Sequence, residues 1–206
     1  DMVGVAHARE HGSLGSTMDR ELVRHLLDET GATRNRDVLA DIFRTAYDLA
    51  SDDADRLDLK ITRDAMREMR TAYRLFAPYR DVRKVTVFGS ARTLRTDPLY
   101  GHARKLAESL ADAGWMVVTG AGPGIMAAAT EGAGAERSLG VTIRLPFEET
   151  SVGPLSGSDR VVNMKYFFTR KPMLMKESSG FVSLPGGFGT LDETLELLTL
   201  MQTAKA

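Results

Sequence analysis

The sequence contains no cysteine. That excludes a disulfide scaffold, a thiolate zinc site and a cysteine nucleophile, and it fits a reducing compartment. An excess of charge of one sign is missing as well. Twenty-seven Lys and Arg stand against 28 Asp and Glu, a net charge of −1. Nothing global therefore attracts nucleic acid or an anionic membrane, and neither is expected as a partner. No apolar run approaches the roughly 20 residues of a membrane span. Asp1–Thr17 lacks the apolar core of a secretory leader. The four histidines, His7, His11, His25 and His102, show no metal-ligand spacing, so no metal or cofactor is expected. With 206 residues the chain is long enough to bury a core of its own without a staple. These absences lead us to expect a soluble, cytoplasmic, mixed α/β protein.

Glycine is unevenly spread, and this divides the chain. Only four of the 19 glycines fall in the first 80 residues, whereas thirteen lie between Gly114 and Gly189. Residues 1–17 have no clear period and are expected to form a flexible arm. Residues 18–80 carry helical periodicity and are expected to form a helical extension. Leu22, Val23, Leu26 and Leu27 mark a first helix closed by Gly31. Val38, Leu39, Ile42, Phe43, Ala46 and Leu49 mark a second, stopped by Ser51-Asp52-Asp53. Thr62 is placed as the cap of a third, with Ala65, Met66, Met69, Ala72, Tyr73 and Phe76 along one face and Pro78 beyond.

From residue 81 to 206 the period changes. Val85–Phe88, Trp115–Thr119, Leu139–Ile143 and Phe181–Leu184 are short apolar runs that predict strands. Helices are predicted over 99–113, 125–135 and from Leu191 onward, and 161–179 holds a strand or turn and then a helix. Apolar strands alternating with helices predict a Rossmann-like parallel sheet covered by helices on both faces. About four strands can be placed where such sheets usually have five or six. Either C-terminal strands lie outside this sequence or a partner covers the open edge.

Ligands of open parallel sheets bind at the carboxyl ends of the strands. Three such ends are glycine-rich here: Gly89-Ser90, Gly120–Gly124 and Pro185–Thr190. In the last, Gly186, Gly187 and Gly189 allow close backbone approach, and Thr190 offers a hydroxyl at a helix start. Outward N–H groups and the helix dipole suit a phosphate, although a tight turn with no ligand has the same pattern. Gly120-Ala121-Gly122-Pro123-Gly124 departs from G-x-G-x-x-G at Ile125, which argues against NAD; it is a pocket wall or simply a turn. Asp192 and Glu193 either complement the helix dipole or stand on the rim of the phosphate pocket. Arg170-Lys171 is either an anion-binding pair or a solvated pair on a helix start. Phe167 and Phe168 are expected in the core. Glu148 and Glu149 are expected on a loop surface.

Pro185-Gly186-Gly187-Phe188-Gly189-Thr190-Leu191-Asp192-Glu193 resembles the PGGxGTxxE motif of the LOG ("lonely guy") family, whose members often carry the label lysine decarboxylase. Arg170-Lys171 falls where that family has its RK pair. Gly89-Ser90-Ala91-Arg92 and Gly122-Pro123-Gly124-Ile125-Met126 also match, in order, over about residues 82–206. The helical extension and Phe167-Phe168 resemble the longer bacterial branch. This chain departs from many relatives at Ala121 and Ala127.

The resemblance implies a phosphoribohydrolase that cleaves the N-glycosidic bond of AMP or an N6-modified AMP, releasing the base and ribose 5-phosphate. Broader nucleotide specificity, a nucleotide-binding module without catalysis and an interaction protein are the alternatives. It implies Glu193 and Arg170 as catalytic residues and Gly186, Gly187, Gly189 and Thr190 as the phosphate cradle. Lys171, Ser90, Gly122, Thr199 and either Glu148 or Glu149 are implied as further substrate contacts. It also implies a homodimer or larger homo-oligomer, in keeping with the apolar Leu195, Leu197, Leu198, Leu200 and Met201 around the last helix.

Overall fold

The computed structural model describes residues 20–145 and 154–204. The expected arm and both Glu148 and Glu149 lie outside the described residues. The chain divides into two compact units, at Thr62 and Arg63.

In the first unit, α1 (Arg20–Glu29) and α2 (Arg36–Ser51) bury Val23, Leu27 and Ala40 against Leu26, Leu39 and Phe43. Gly31 takes a left-handed φ of 66° after α1. Arg36 then fixes the connection, reaching the Ala32 carbonyl at 2.8 Å and Asp28 at 2.5 Å. The third helix, α3, runs Arg56–Phe76. Its cap is Asp55, which accepts the amides of Leu57 and Asp58 at 2.5 and 2.9 Å, and not Thr62, which lies inside the helix. An aspartate one residue ahead of the first turn competes better for those amides than a threonine in mid-pattern. The face of α3 that is buried holds Ala72 and Phe76, whereas Met66 and Tyr73 are exposed.

The second unit is a doubly wound α/β domain. Its strands are β1 (Lys84–Phe88), β2 (Met116–Thr119), β3 (Ser138–Ile143), β4 (Val161–Met164) and β5 (Gly180–Ser183). All pairs are parallel, in the order β4-β3-β2-β1-β5. Five strands are present among the described residues, where the sequence placed about four. The fifth is Val161–Met164, where the sequence left a strand or a turn open; it pairs with β3 at the sheet edge. Winding outward from β1 to β4 and then back across to β5 creates a switch point between β1 and β5.

The helices are α4 (Pro98–Asp112), α5 (Ile125–Ala133), α6 (Phe167–Lys176) and α7 (Phe188–Gln202). Strand pleating sends Val85, Val87 and Val117 to a core with α4 and α5, and Phe88, Met116 and Val118 to a core with Ala72, Phe76, Met173, Leu174 and Leu197. The one hydroxyl buried in β1, Thr86, bonds the Leu174 carbonyl and the Ser178 hydroxyl, each at 2.7 Å, and so ties α6 to the central strand.

Small residues let α5 lie close to α4. A Cβ on Gly132 would stand 1.9 Å from the Arg104 carbonyl oxygen, a backbone atom that cannot swing away. Gly132→Ala is therefore expected to destabilise the domain by about 1–3 kcal/mol, the usual cost of overpacking, in urea denaturation followed by circular dichroism. An unchanged midpoint would show that the two helices separate freely.

Candidate active site

The backbone of Ser90 joins two of the glycine-rich strand ends. Its amide donates to the Pro185 carbonyl at 3.1 Å, and its carbonyl accepts the Ile125 amide at 3.0 Å. Both contacts need bare backbone opposite. A Cβ on Gly124, whose φ is 67°, would meet the Ser90 oxygen at 2.2 Å, and one on Gly186 would meet the Thr190 hydroxyl at 2.2 Å. The turns after β1, β2 and β5 are thus drawn to one place at the switch point.

Helix α7 begins at Phe188 and not at Leu191, so Gly189 and Thr190 lie in its first turn. The first amides of a helix have no intrahelical acceptor and carry the positive end of the dipole. Gly187, Phe188 and Gly189 carry them, just after Gly186, whose added Cβ would stand 3.0 Å from the Ser90 amide, and Thr190 beyond them is buried. Glu193 follows Gly189 by one helical turn on the same face, about 5–6 Å away.

Arg170 is not a solvated cation. It lies in the buried face of α6, its Nε donates to the Val141 carbonyl at 2.9 Å, and its guanidinium pairs with Glu193. The two side chains retain only 8% and 13% of their exposure. A Cβ on Gly120 would stand 2.6 Å from the Arg170 guanidinium and 2.9 Å from the Met126 sulfur. The pair therefore crosses the carboxyl edge from β3, under the turn after β2, to α7. Gly122 lies against the Met126 methyl group.

The second cation faces away from that pair. Lys171 bonds Asp192 and Glu196 at 2.8 Å each. Burial opposes its charge, but the hydrogen bonds it donates to Asp192 and Glu196, with their attraction, outweigh it and hold its pKa above the ordinary lysine value. Thr199 stands apart: its hydroxyl is spent on the Leu195 carbonyl of its own helix, about 9 Å along the axis from Glu193. Phe167 and Phe168 are 52% and 56% exposed, not core residues. They occupy the first two positions of α6, whereas the buried face comprises Thr169, Arg170, Met173 and Leu174. Among the described residues no group of His, Asp and Glu could hold a metal ion.

Residues 124–206 match a protein family described as "Possible lysine decarboxylase". The chain is 31% identical over 124 residues to the probable cytokinin riboside 5'-monophosphate phosphoribohydrolase LOGL5 of Oryza sativa subsp. japonica, over 58% of this chain and 49% of that protein. It thus spans about half the length of this curated relative. The resemblance to the LOG family is shown. Among solved structures, the molybdenum cofactor carrier protein of Chlamydomonas reinhardtii superposes with a TM-score of 0.47 and 24% identity, over 58% of this chain and 73% of that one. The molybdenum cofactor binding protein of the phototrophic bacterium Rippkaea orientalis does so with a TM-score of 0.47 and 24% identity, over 58% and 72%.

Four residues around the Arg170–Glu193 pair carry no sufficient signal in the sequence. Gly120 and Met126 were within quoted motifs, but only the fold places them against Arg170. Gly124 was read as part of a turn. Glu68 had no signal, since an acid on an amphipathic helix reads as surface. In the fold it clamps the start of α6, accepting the Lys165 amide at 2.8 Å, the Tyr166 amide at 3.4 Å and the Thr169 hydroxyl at 2.6 Å. That is the turn from which Arg170 projects. Glu68→Ala is expected to cost about 1–3 kcal/mol in urea denaturation, because it strips acceptors from three donors. Thr169→Val should then cost less in that background than alone, since the two share one contact. Strict additivity would show that Glu68 does not hold Thr169.

Proposed function

We propose that this chain is the catalytic part of an N-glycosyl hydrolase acting on nucleoside 5'-monophosphates. Its substrate is AMP or an N6-modified AMP, and its products are the free base and ribose 5-phosphate. The observation that carries this reading is the buried Arg170–Glu193 pair beside a glycine-cradled helix N-terminus. Two well-packed apolar residues would serve stability at least as well as a buried ion pair, so its presence favours chemistry over packing. The name of the rice relative supports the same bond and substrate class. Absence of cysteine is in keeping with action in the cytoplasm.

The phosphate binds the amides of Gly187, Phe188 and Gly189 and draws on the α7 dipole. That anchor sets the ribose over Glu193, one turn further along. As the C1'–base bond stretches, positive charge grows on the sugar. The Glu193 carboxylate stabilises it, orients the water that attacks C1' and accepts the proton that water loses, while the base departs with the bonding pair and takes up a proton from solvent. Arg170 aligns Glu193 and holds sugar hydroxyls or the departing base. Gly186 and Thr190 keep the cradle closed behind the phosphate, while Ser90 and Gly122 line the nucleotide. Lys171, through Asp192 and Glu196, fixes α6 against α7. Phosphate binding far from the broken bond supplies the positioning energy.

Base release from AMP and isopentenyl-AMP, followed by chromatography, tests this directly. Glu193→Gln should lower turnover by about 10²–10⁴-fold. Adenosine, which lacks the anchor, should be a much poorer substrate than AMP. Wild-type rates for Glu193→Gln would remove that residue from the mechanism. AMP binding with no release by the unsubstituted protein would favour a nucleotide-binding module.

Self-association belongs to the same proposal. Leu191, Leu195, Leu198 and Met201 form an exposed apolar stripe along α7, spaced for one helix face. A second copy of this chain packs there. Sedimentation equilibrium should give a dimer or larger assembly that Leu195→Glu weakens; a monomer at all concentrations would refute it.

A further inference from the structure

The amino ends of the strands carry a cleft of their own, on the opposite edge of the sheet from the glycine turns. It measures about 500 Å³ and lies where α3 ends and where β1 and β5 begin. Phe76, Ala77 and Val82 give it an apolar side, and Arg80, Lys84 and Ser179 a polar one.

Several donors on the polar side are short of acceptors. Lys84 is only 3% exposed, yet its ammonium reaches a single acceptor among the described residues, the Val82 carbonyl at 3.1 Å. A lysine ammonium has three donors, so two are left over. The Arg80 guanidinium and the Ser179 hydroxyl have no hydrogen-bond or ion-pair partner among the described residues. The acid that lines the cleft, Glu177, is taken by Lys176 at 2.5 Å. Asp81 acts on Lys84 from outside the cleft, without a salt bridge to it. Burial pulls the Lys84 pKa below the ordinary lysine value, and the attraction of Glu177 only partly offsets this. A buried cation short of acceptors is costly unless something supplies them.

We propose that this cleft is a second ligand site, separate from the glycine turns, which takes a small organic phosphate. The phosphate oxygens accept from Lys84, Arg80 and Ser179, and the organic part lies on Phe76, Ala77 and Val82. Lysine supplies a compact charge and arginine a planar fork, the pairing that suits a phosphate group. The site also touches the machinery of the first. Ser178 bonds Thr86, Thr86 bonds the Leu174 carbonyl, and Leu174 lies one helical turn beyond Arg170 on α6.

Phenyl phosphate is a suitable probe, because it couples the anion to an apolar ring and carries no ribose. Titrated into the full chain and followed by ¹H–¹⁵N correlation spectra, it should give saturable shifts at the Lys84, Ser178 and Ser179 amides. Lys84→Met should raise its dissociation constant at least tenfold. Arg80→Ala, at an exposed position, should raise it several-fold and serves where Lys84→Met does not fold. Shifts confined to Gly187 and Gly189, or shifts near Lys84 that survive Arg80→Ala unchanged, would overturn the proposal.

Discussion

The carboxyl edge of the sheet is bridged by the Arg170–Glu193 pair. Arg170 is fixed at one end by the Val141 carbonyl within β3 and at the other by a carboxylate on α7. Between them it passes beneath Gly120. These contacts cross the whole switch point, so α6, the β2 turn and α7 share one electrostatic tie. Removing either partner would leave a charge without its counterion in a largely water-free place, which is far costlier than losing a surface pair. Several other features are consequences. Gly120 must lack a side chain because a guanidinium fills that space. Glu68 must hold the first turn of α6 because the angle of that turn aims the guanidinium. Lys171, turned about 100° around α6 from its neighbour, meets Asp192 and Glu196 in place of Glu193.

The sequence carried the architecture well because it depends on short-range pattern. Short apolar runs, three of them closed by glycine-rich turns, marked four of the five strands described, and their alternation with helices pointed to a parallel sheet. β4 was ambiguous because Asn163, a residue depleted in strands, interrupts its short apolar run. The start of α7 was set too late because Phe188 and Gly189 look like loop residues; only the hydrogen bond from the Leu191 amide to the Gly187 carbonyl at 3.0 Å places them in the helix. Phe167 and Phe168 were misassigned for a related reason. Composition says that phenylalanine is buried, but the rotation of α6 is set by Arg170, which claims the inner face.

Within the site, what the motifs made legible was proximity along the chain. Gly186 to Glu193 is one turn and one helix, so its geometry was already implied. The pairing of Glu193 with Arg170, 23 residues earlier, was not implied, and neither was the contact between Ser90 and Pro185, 95 residues apart. Such contacts come from strand order, and strand order is not written in any local pattern. Glu68 is the extreme case, since its partners lie about a hundred residues further along the chain.

The two edges of the sheet face different electrostatic problems. In a parallel α/β domain the helices following the strands start at the carboxyl edge and end at the amino edge. An anion at the carboxyl edge meets free amides and the positive ends of dipoles, so bare backbone suffices and glycine is the useful residue. An anion at the amino edge meets the negative ends of helices such as α6, and backbone there supplies acceptors, not donors. Side-chain cations have to overcome that field. The distribution in this chain follows the same division: glycines gather around Ser90 and Pro185, whereas Arg80, Lys84 and Lys176 gather at the opposite edge. Lys84 is the sharpest instance, because the first residue of a central strand is a position where an apolar side chain would be cheaper to bury.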